Sequence, residues 1–284
     1  MATIQSCQST KSATSSKLLK FNFEKGKGYD YEMIINMDQD VMGQAMQMDM
    51  SNYYSMDVIE DDGATKTIST TFDRFKMTMG VAGMNIEVDT DKPLNSMGGQ
   101  ENPIAKVNAI LGAVKGKKFS MKVDAEGKVL DVTGLQNMAT SIVDSMGLNE
   151  AEKAQMIQKF SQQFNDKSIK EQFERVLYIF PNKEVKVGDS WTKTTTPSGP
   201  MGGKYTSTYT VKDIEGDMVT LEEKSTVNGA EEKVKMTGTI NGTLVVDSKS
   251  GLVVSADQDI NMTTTTEGKT IKLKGKTKIK GIAR

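Results

Sequence analysis

From Tyr29 to Val58 the chain trades apolar for polar side chains at almost every step, and this period of two narrows its fold more than any other feature. Tyr31, Met33, Ile35 and Met37 share one face, while Asp30, Glu32, Asn36 and Asp38 share the other. After an interruption at Val41-Met42-Gly43 the alternation resumes through Met46, Met48, Met50, Tyr54, Met56 and Val58. A helix would spread these sets around its circumference, whereas a strand keeps them on opposite faces. Asp61-Asp62-Gly63 supplies a hairpin turn, because Gly tolerates positive φ and Asp favours turn positions. Ile68, Thr70 and Phe72 then give way to Phe75, Met77 and Met79, a change of parity that predicts a bulge near Asp73-Arg74. Met84, Ile86 and Val88 continue an antiparallel meander with one apolar face.

The period changes in the middle of the chain. Ile104, Val107, Ile110 and Leu111 have helical spacing, with Pro103 suited to a first turn and the helix running to Val114. Phe119, Met121 and Val123 form a strand that turns at Asp124-Ala125-Glu126-Gly127 and returns through Val129 to Val132. Leu135, Met138, Ala139, Ile142, Val143 and Met146 predict an amphipathic helix, with Gly147 to stop it. Asn149 with Glu152 and Ser168 with Glu171 read as capping boxes for two more helices. Their apolar stripes are Ile157, Phe160 and Phe164, then Ile169, Phe173, Val176 and Leu177. Pro181 ends the block, and strands separated by short Gly-containing turns fill the remainder. Trp191, just after a turn at Val187-Gly188-Asp189-Ser190, reads as a packing anchor.

With Pro 5 in total and no Pro/Ser/Gly linker between the β regions, residues 18–284 are expected to form one α+β domain. The expected architecture is a large curved antiparallel sheet, incomplete β-barrel-like, with several amphipathic helices inserted mid-chain. It comprises a β region over 18–98, a mainly helical block over 103–180 and a β region over 181–284. Residues 1–17, polar throughout the tract Gln8 to Ser16, are expected to be a disordered tether.

Composition then removes function classes. His 0 excludes imidazole-dependent triads, Cys-His pairs and imidazole metal sites. Lys+Arg 36 against Asp+Glu 37 gives no overall field to attract nucleic acid, so no nucleic-acid partner is expected. Cys 1 leaves no intramolecular disulfide or CxxC motif. Gly112 to Lys118 is a residue short of a phosphate loop and lacks its Ser/Thr, and no cofactor is expected. Paired acids at Asp38/Asp40, Asp89/Asp91 and Asp257/Asp259 could serve calcium or glycoside cleavage, but no loop completes a calcium site and the pairs fit wet strand faces. Lys272, Lys274, Lys276, Lys278 and Lys280 form a cationic stripe, read first as protection of an edge strand and second as a contact for anionic lipid.

The feature left over is Met 20, concentrated on the apolar faces of the first β region. Thioether side chains are soft, adaptable fillers, so such a face can line a hydrophobic ligand site or pack against the protein's own helices. The candidate lining is Met33, Ile35, Met37, Met46, Met48, Met50, Tyr54, Met56, Met77 and Met79. A Cu(I) site on Met46, Met48 and Met50 is the lesser reading, because no His or nearby Cys supports it, and no metal is expected.

Ile4, Ser6 and Cys7 ahead of a polar tract are similar to the start of a bacterial lipoprotein, in which the cysteine receives lipid. An export signal's basic and apolar segments are absent before Cys7, which implies a chain truncated at a substitute Met1. Together with Phe180-Pro181 to Val187-Gly188-Asp189-Ser190-Trp191 and the Asp247 to Gly251-Leu252-Val253 hairpin, this start resembles a family of uncharacterised envelope lipoproteins of Gram-negative bacteria. More distantly, a sheet with inserted helices looks like the incomplete barrels of lipoprotein carriers. These resemblances imply lipid attachment at Cys7 and an envelope location facing the periplasm or cell surface, and they bring no catalytic residues.

The expectation is therefore a non-enzymatic envelope lipoprotein that holds a hydrophobic small molecule or lipid in a Met-rich concave sheet. Two other classes compete with it. One is a structural or interaction module with a fully self-packed core; the other is a carboxylate-dependent enzyme, which would need its acids gathered in a cleft.

Overall fold

In the computed structural model, which describes residues 16–41, 44–81, 84–92, 112–144, 149–163, 165–197, 202–231, 234–266 and 269–284, the period-two segments become unusually long strands. A short β1 (Lys17–Leu19) precedes β2 (Gly28–Val41), β3 (Gln44–Asp61), β4 (Thr65–Val81) and β5 (Met84–Asp89). The hairpin β6 (Lys118–Asp124) and β7 (Val129–Thr133) comes next, then the helices α1 (Leu135–Asp144), α2 (Glu150–Gln163) and α3 (Asp166–Leu177). After β8 (Lys183–Val185) and β9 (Ser190–Thr195) the chain closes with β10 (Lys204–Glu215), β11 (Met218–Glu231), β12 (Val234–Asp247), β13 (Leu252–Thr266) and β14 (Lys269–Ala283).

Twelve of these strands form one antiparallel sheet in the order β7-β6-β4-β3-β2-β14-β13-β12-β11-β10-β9, with β5 also paired to β4. The two β regions are joined where β2 lies against β14, for example Met33 opposite Ile279. Parity shifts where the alternation in sequence shifts: Tyr53 faces Arg74 but Tyr54 faces Phe72, so Asp73 is the extra residue of a bulge.

Ten intervals separate β7 from β9 in the strand order, roughly 48 Å along a flat sheet at about 4.8 Å per strand. Yet Lys193 of β9 makes a 2.5 Å ion pair with Glu126 in the β6–β7 turn. The sheet must therefore curl until its edges approach, although among the described residues no ladder joins β7 to β9. The segment after α3 spans that gap. Phe180 N–H donates to the Glu126 carbonyl, and Trp191 Nε1 donates to the Ile179 carbonyl at 2.7 Å. Gly127, at φ +83°, lies so close under the end of α3 that a Cβ would run into the Leu177 carbonyl.

The core fills the lower part of this trough. Leu135, Met138, Ala139, Ile142 and Val143 of α1 and Ile169, Phe173 and Leu177 of α3 are buried, with Met121, Phe119 and Ile68 from the sheet. Each such large side chain contributes about 1.5–3 kcal/mol relative to leaving it exposed. The N-terminal segment closes the bottom: Phe21 N–H donates to the Ala125 carbonyl, Asn22 N–H to Ser250, and Phe23 stacks on Tyr29 with centroids 3.7 Å apart. β1, which begins at Lys17 at the end of the expected tether, pairs with β8.

The class is mainly β and the expected α+β class is corrected. Among the described residues the helices α1 to α3 are short, 10, 14 and 12 residues, against strands of 14, 18 and 17 residues in β2 to β4. Length and not number decides the class: strands two to three times the usual 5–6 residues carry most of the chain. The block over 103–180 also contains a hairpin that belongs to the sheet. One cap shifts as well. Asn149 and Glu152 form the reciprocal bonds of a capping box, but α3 is capped by Asn165, whose side chain accepts from Ser168 N–H at 2.9 Å. Cys7, most of the Pro103–Val114 helix, Met146, Gly147 and Phe164 lie outside the described residues.

The edge-strand reading of the lysines is also corrected. β14 lies inside the sheet, and its outward lysines stand between two rows that carry acids. Lys274 and Lys272 face Asp38 and Asp40 of β2, while Lys276 and Lys278 face Asp259 and Asp257 of β13. Cross-strand pairs of opposite charge contribute about 0.2–1 kcal/mol each, so this stripe helps select β14's neighbours.

Candidate functional site

Side chains directly opposite each other on neighbouring strands share a face, so the inner wall can be read in rows across the sheet. One row runs Lys193, Ser207, Ser225, Ile240, Ile260, Gly275, Met37, Met48, Met79. The next runs Trp191, Tyr209, Glu223, Gly242, Gln258, Thr277, Ile35, Met50, Met77. Both pass from polar or amphipathic groups at β9–β11 to thioethers at β2–β4. Beneath α3 this wall encloses a partly open cavity of about 670 Å³.

Met33, Ile35, Met37, Met48, Met50 and Tyr54 line the cavity. Met77 and Met79 sit on the same face opposite Met50 and Met48, half-buried but outside the lining. Met46, opposite Gln39, extends the face toward the β2–β3 tip and is likewise not part of the lining. Met56 is buried in the core below. Tyr54 packs between Phe72 and Phe173, and burial pushes its phenol up to about 12.

The polar end escaped the sequence reading. Glu223, 5% exposed, accepts from Ser225 Oγ at 2.7 Å and from Gln258 Nε2 at 2.6 Å. Ser207 and Ser225 hydroxyls stand 2.6 Å apart. Tyr209, opposite Glu223, has its phenol pushed well up by burial first and by the Glu223 charge second. Gly242 lies between Glu223 and Gln258 in the row; a Cβ there would stand 2.8 Å from both Cα and Cγ of Gln258. Its bare backbone leaves room for Gln258 to reach across the strand. A signal was present: the inward face of β11 reads Val219, Leu221, Glu223, Ser225, Val227, an apolar face broken in the middle.

The cations of the lining, Arg74, Lys115, Lys193 and Arg175, have local partners. Arg74 holds Asp89 by two hydrogen bonds of 3.0 and 2.7 Å, which keeps that carboxyl down at about 2. Asp91 pairs with Lys115 at 2.7 Å and with Arg74 at 3.3 Å. Lys193 lies over the Tyr178 ring at 4.2 Å while paired with Glu126, and Arg175 lies over Tyr205 at 4.8 Å. Glu174 lines the cavity with Oε1 buried and without a hydrogen-bond partner, and burial raises its pKa. The acid pairs singled out in the sequence do not converge: Asp38/Asp40 and Asp257/Asp259 face β14 lysines on the outer surface, and Asp89/Asp91 share Arg74. Among the described residues no group of three or more His, Cys, Asp or Glu side chains could hold a metal ion.

Solved structures that align with the chain do so at very low identity. The translocator domain of the autotransporter NalP from Neisseria meningitidis is 7% identical over 91% of this chain and 89% of its own, with a TM-score of 0.26. The beta domain of the Bordetella autotransporter BrkA is 6% identical over 89% and 98%, with a TM-score of 0.28. DynF, from the dynemicin biosynthesis pathway of Micromonospora chersina, is 7% identical over 99% and 92%, with a TM-score of 0.20. At these scores nothing about location or activity follows from the alignments. No curated protein matches the chain. The model of one family matches residues 62–253, from the β3–β4 turn into β13. On that match, well over half its length, the chain belongs to DUF6263, a family of unknown function.

Proposed function

We propose that this protein binds a hydrophobic or lipid molecule in the trough beneath α3 and does no bond-making chemistry on it. One observation carries the reading: a cavity of about 670 Å³ with an apolar wall built from Met33, Ile35, Met37, Met48 and Met50. That volume falls within the roughly 300–1,000 Å³ of small-molecule sites, and thioethers can reshape themselves around flexible chains.

The same reading places the protein at the bacterial cell envelope, tethered through lipid on Cys7. Support comes from Ser6-Cys7 and the polar tract Gln8 to Ser16, which suits a spacer between a membrane and the sheet. Mass spectrometry of the membrane-extracted protein is expected to find acyl modification at Cys7, and Cys7→Ser is expected to be unmodified and released.

Delipidated protein titrated with phenylnaphthylamine, a neutral apolar dye, tests the cavity. The expected result is a saturable fluorescence rise with one site per chain, reversed by dodecanol. Absence of saturable binding would leave an interaction module with a self-packed core as the better description.

A further inference from the structure

Burying a carboxylate in an apolar wall is unfavourable unless something opposite in charge or richly hydrogen-bonding meets it. Glu223 lines the cavity and is 5% exposed, yet its partners are neutral: Ser225 Oγ on Oε1, Gln258 Nε2 on Oε2 and the hydroxyl of Tyr209 opposite it. Among the described residues no cation lies within 4.0 Å of it. The cations that line the same cavity are engaged elsewhere. Arg74 is held by Asp89, Lys115 by Asp91, Lys193 by Glu126, and Arg175 lies over the Tyr205 ring. An ionised carboxylate offers about four acceptor positions, so with these three donors about one remains for a donor entering from the cavity. Glu174 adds a second acceptor wanting a donor, its Oε1 buried and unpartnered. At the other end of the same rows the wall is Met37, Met48 and Met50, which can hold only an apolar chain.

From this polarity we infer that the ligand is an amphiphile with a cationic, hydrogen-bond-donating head, such as a primary ammonium, bound at Glu223 with its alkyl tail on the methionine rows. The inference rests on the ligand-binding reading above and adds the chemistry of the head and the direction in which the molecule lies. An ammonium would supply the missing countercharge and take up the acceptor position left on Glu223. A carboxylate or phosphate head would bring a like charge against Glu223 in a poorly solvated site.

Three molecules with the same tail separate the outcomes: dodecylamine, dodecanol and dodecanoate, each used below its micelle concentration to displace phenylnaphthylamine from the wild-type protein. Dodecylamine is expected to bind about tenfold more tightly than dodecanol, with dodecanoate weakest. In Glu223→Gln the amine is expected to lose about that tenfold advantage while dodecanol is unchanged. Unchanged dodecanol binding also shows that the variant is folded. Should Glu223→Gln misfold, the wild-type ranking alone decides. Dodecanoate binding as tightly as the amine, or a Glu223→Gln variant that keeps the amine preference, would overturn the inference and leave the binding reading intact. Failure of all three tails to displace the dye would remove both.

Discussion

The two ends of the trough share one sheet and the same row geometry but are built by opposite means. At β2–β4 the inner face is thioether and aromatic, held by dispersion and by the ring contacts of Tyr54, Phe72, Phe119 and Phe173. At β9–β11 it is a hydrogen-bonded set, Ser207, Ser225 and Glu223 reached by Gln258 across Gly242. Apolar packing is non-directional and tolerates rearrangement. A buried polar network is directional and loses heavily when one member goes. One end is therefore adaptable and the other is fixed, the division expected of a site that accepts varied tails and one kind of head.

Perturbing each end sharpens that contrast. The largest effect is expected from Phe173→Ala, which removes the ring that α3 places between Tyr54 and Phe119, centroids 5.6 Å from each. A loss of about 3–5 kcal/mol in urea unfolding is expected for a buried Phe. A value under about 1 kcal/mol would mean that the apolar end does not hold α3 in place. Gln258→Leu comes next. It leaves Glu223 Oε2 without its donor and should cost about 1–3 kcal/mol. The smallest effect belongs to Met48→Leu, a nearly volume-conserving swap in the adaptable wall, expected at less than about 1.5 kcal/mol with dodecanol binding retained. If Met48→Leu proved more damaging than Gln258→Leu in the same unfolding series, the assignment of fixed and adaptable ends would be reversed.

How much of this was legible depends on the range of the interaction concerned. The alternation through Met33, Ile35 and Met37 and through Met48, Met50 and Tyr54 put these residues on one face, and they do line the cavity. The shift at Asp73 was visible as a change of parity. Met46, Met77 and Met79 obey the same alternation yet do not line it, because alternation gives a face and not a position along it. The lysines of β14 meet a related limit. Lys272 to Lys280 look the same on an edge strand as on an inner one, and only the Asp38/Asp40 and Asp257/Asp259 rows opposite them reveal the neighbours. The fold class turns on length: helices of 10 to 14 residues are easily recognised but contribute little beside strands of 14 to 18.

By itself the sequence determined the two-faced strands, the turns, the stripes of α1 and α3 and the absence of imidazole chemistry. All are encoded in residues a few positions apart, where side-chain periodicity and local backbone preference act. The tertiary structure alone decided that β2 lies beside β14, that the sheet curls until Lys193 meets Glu126, and that Glu223 and Gln258, 35 residues apart, become partners in a cavity. Those outcomes depend on which strands pair and how far each twists against the next, and such choices are settled by the summed burial and hydrogen bonding of the whole sheet rather than within any one segment.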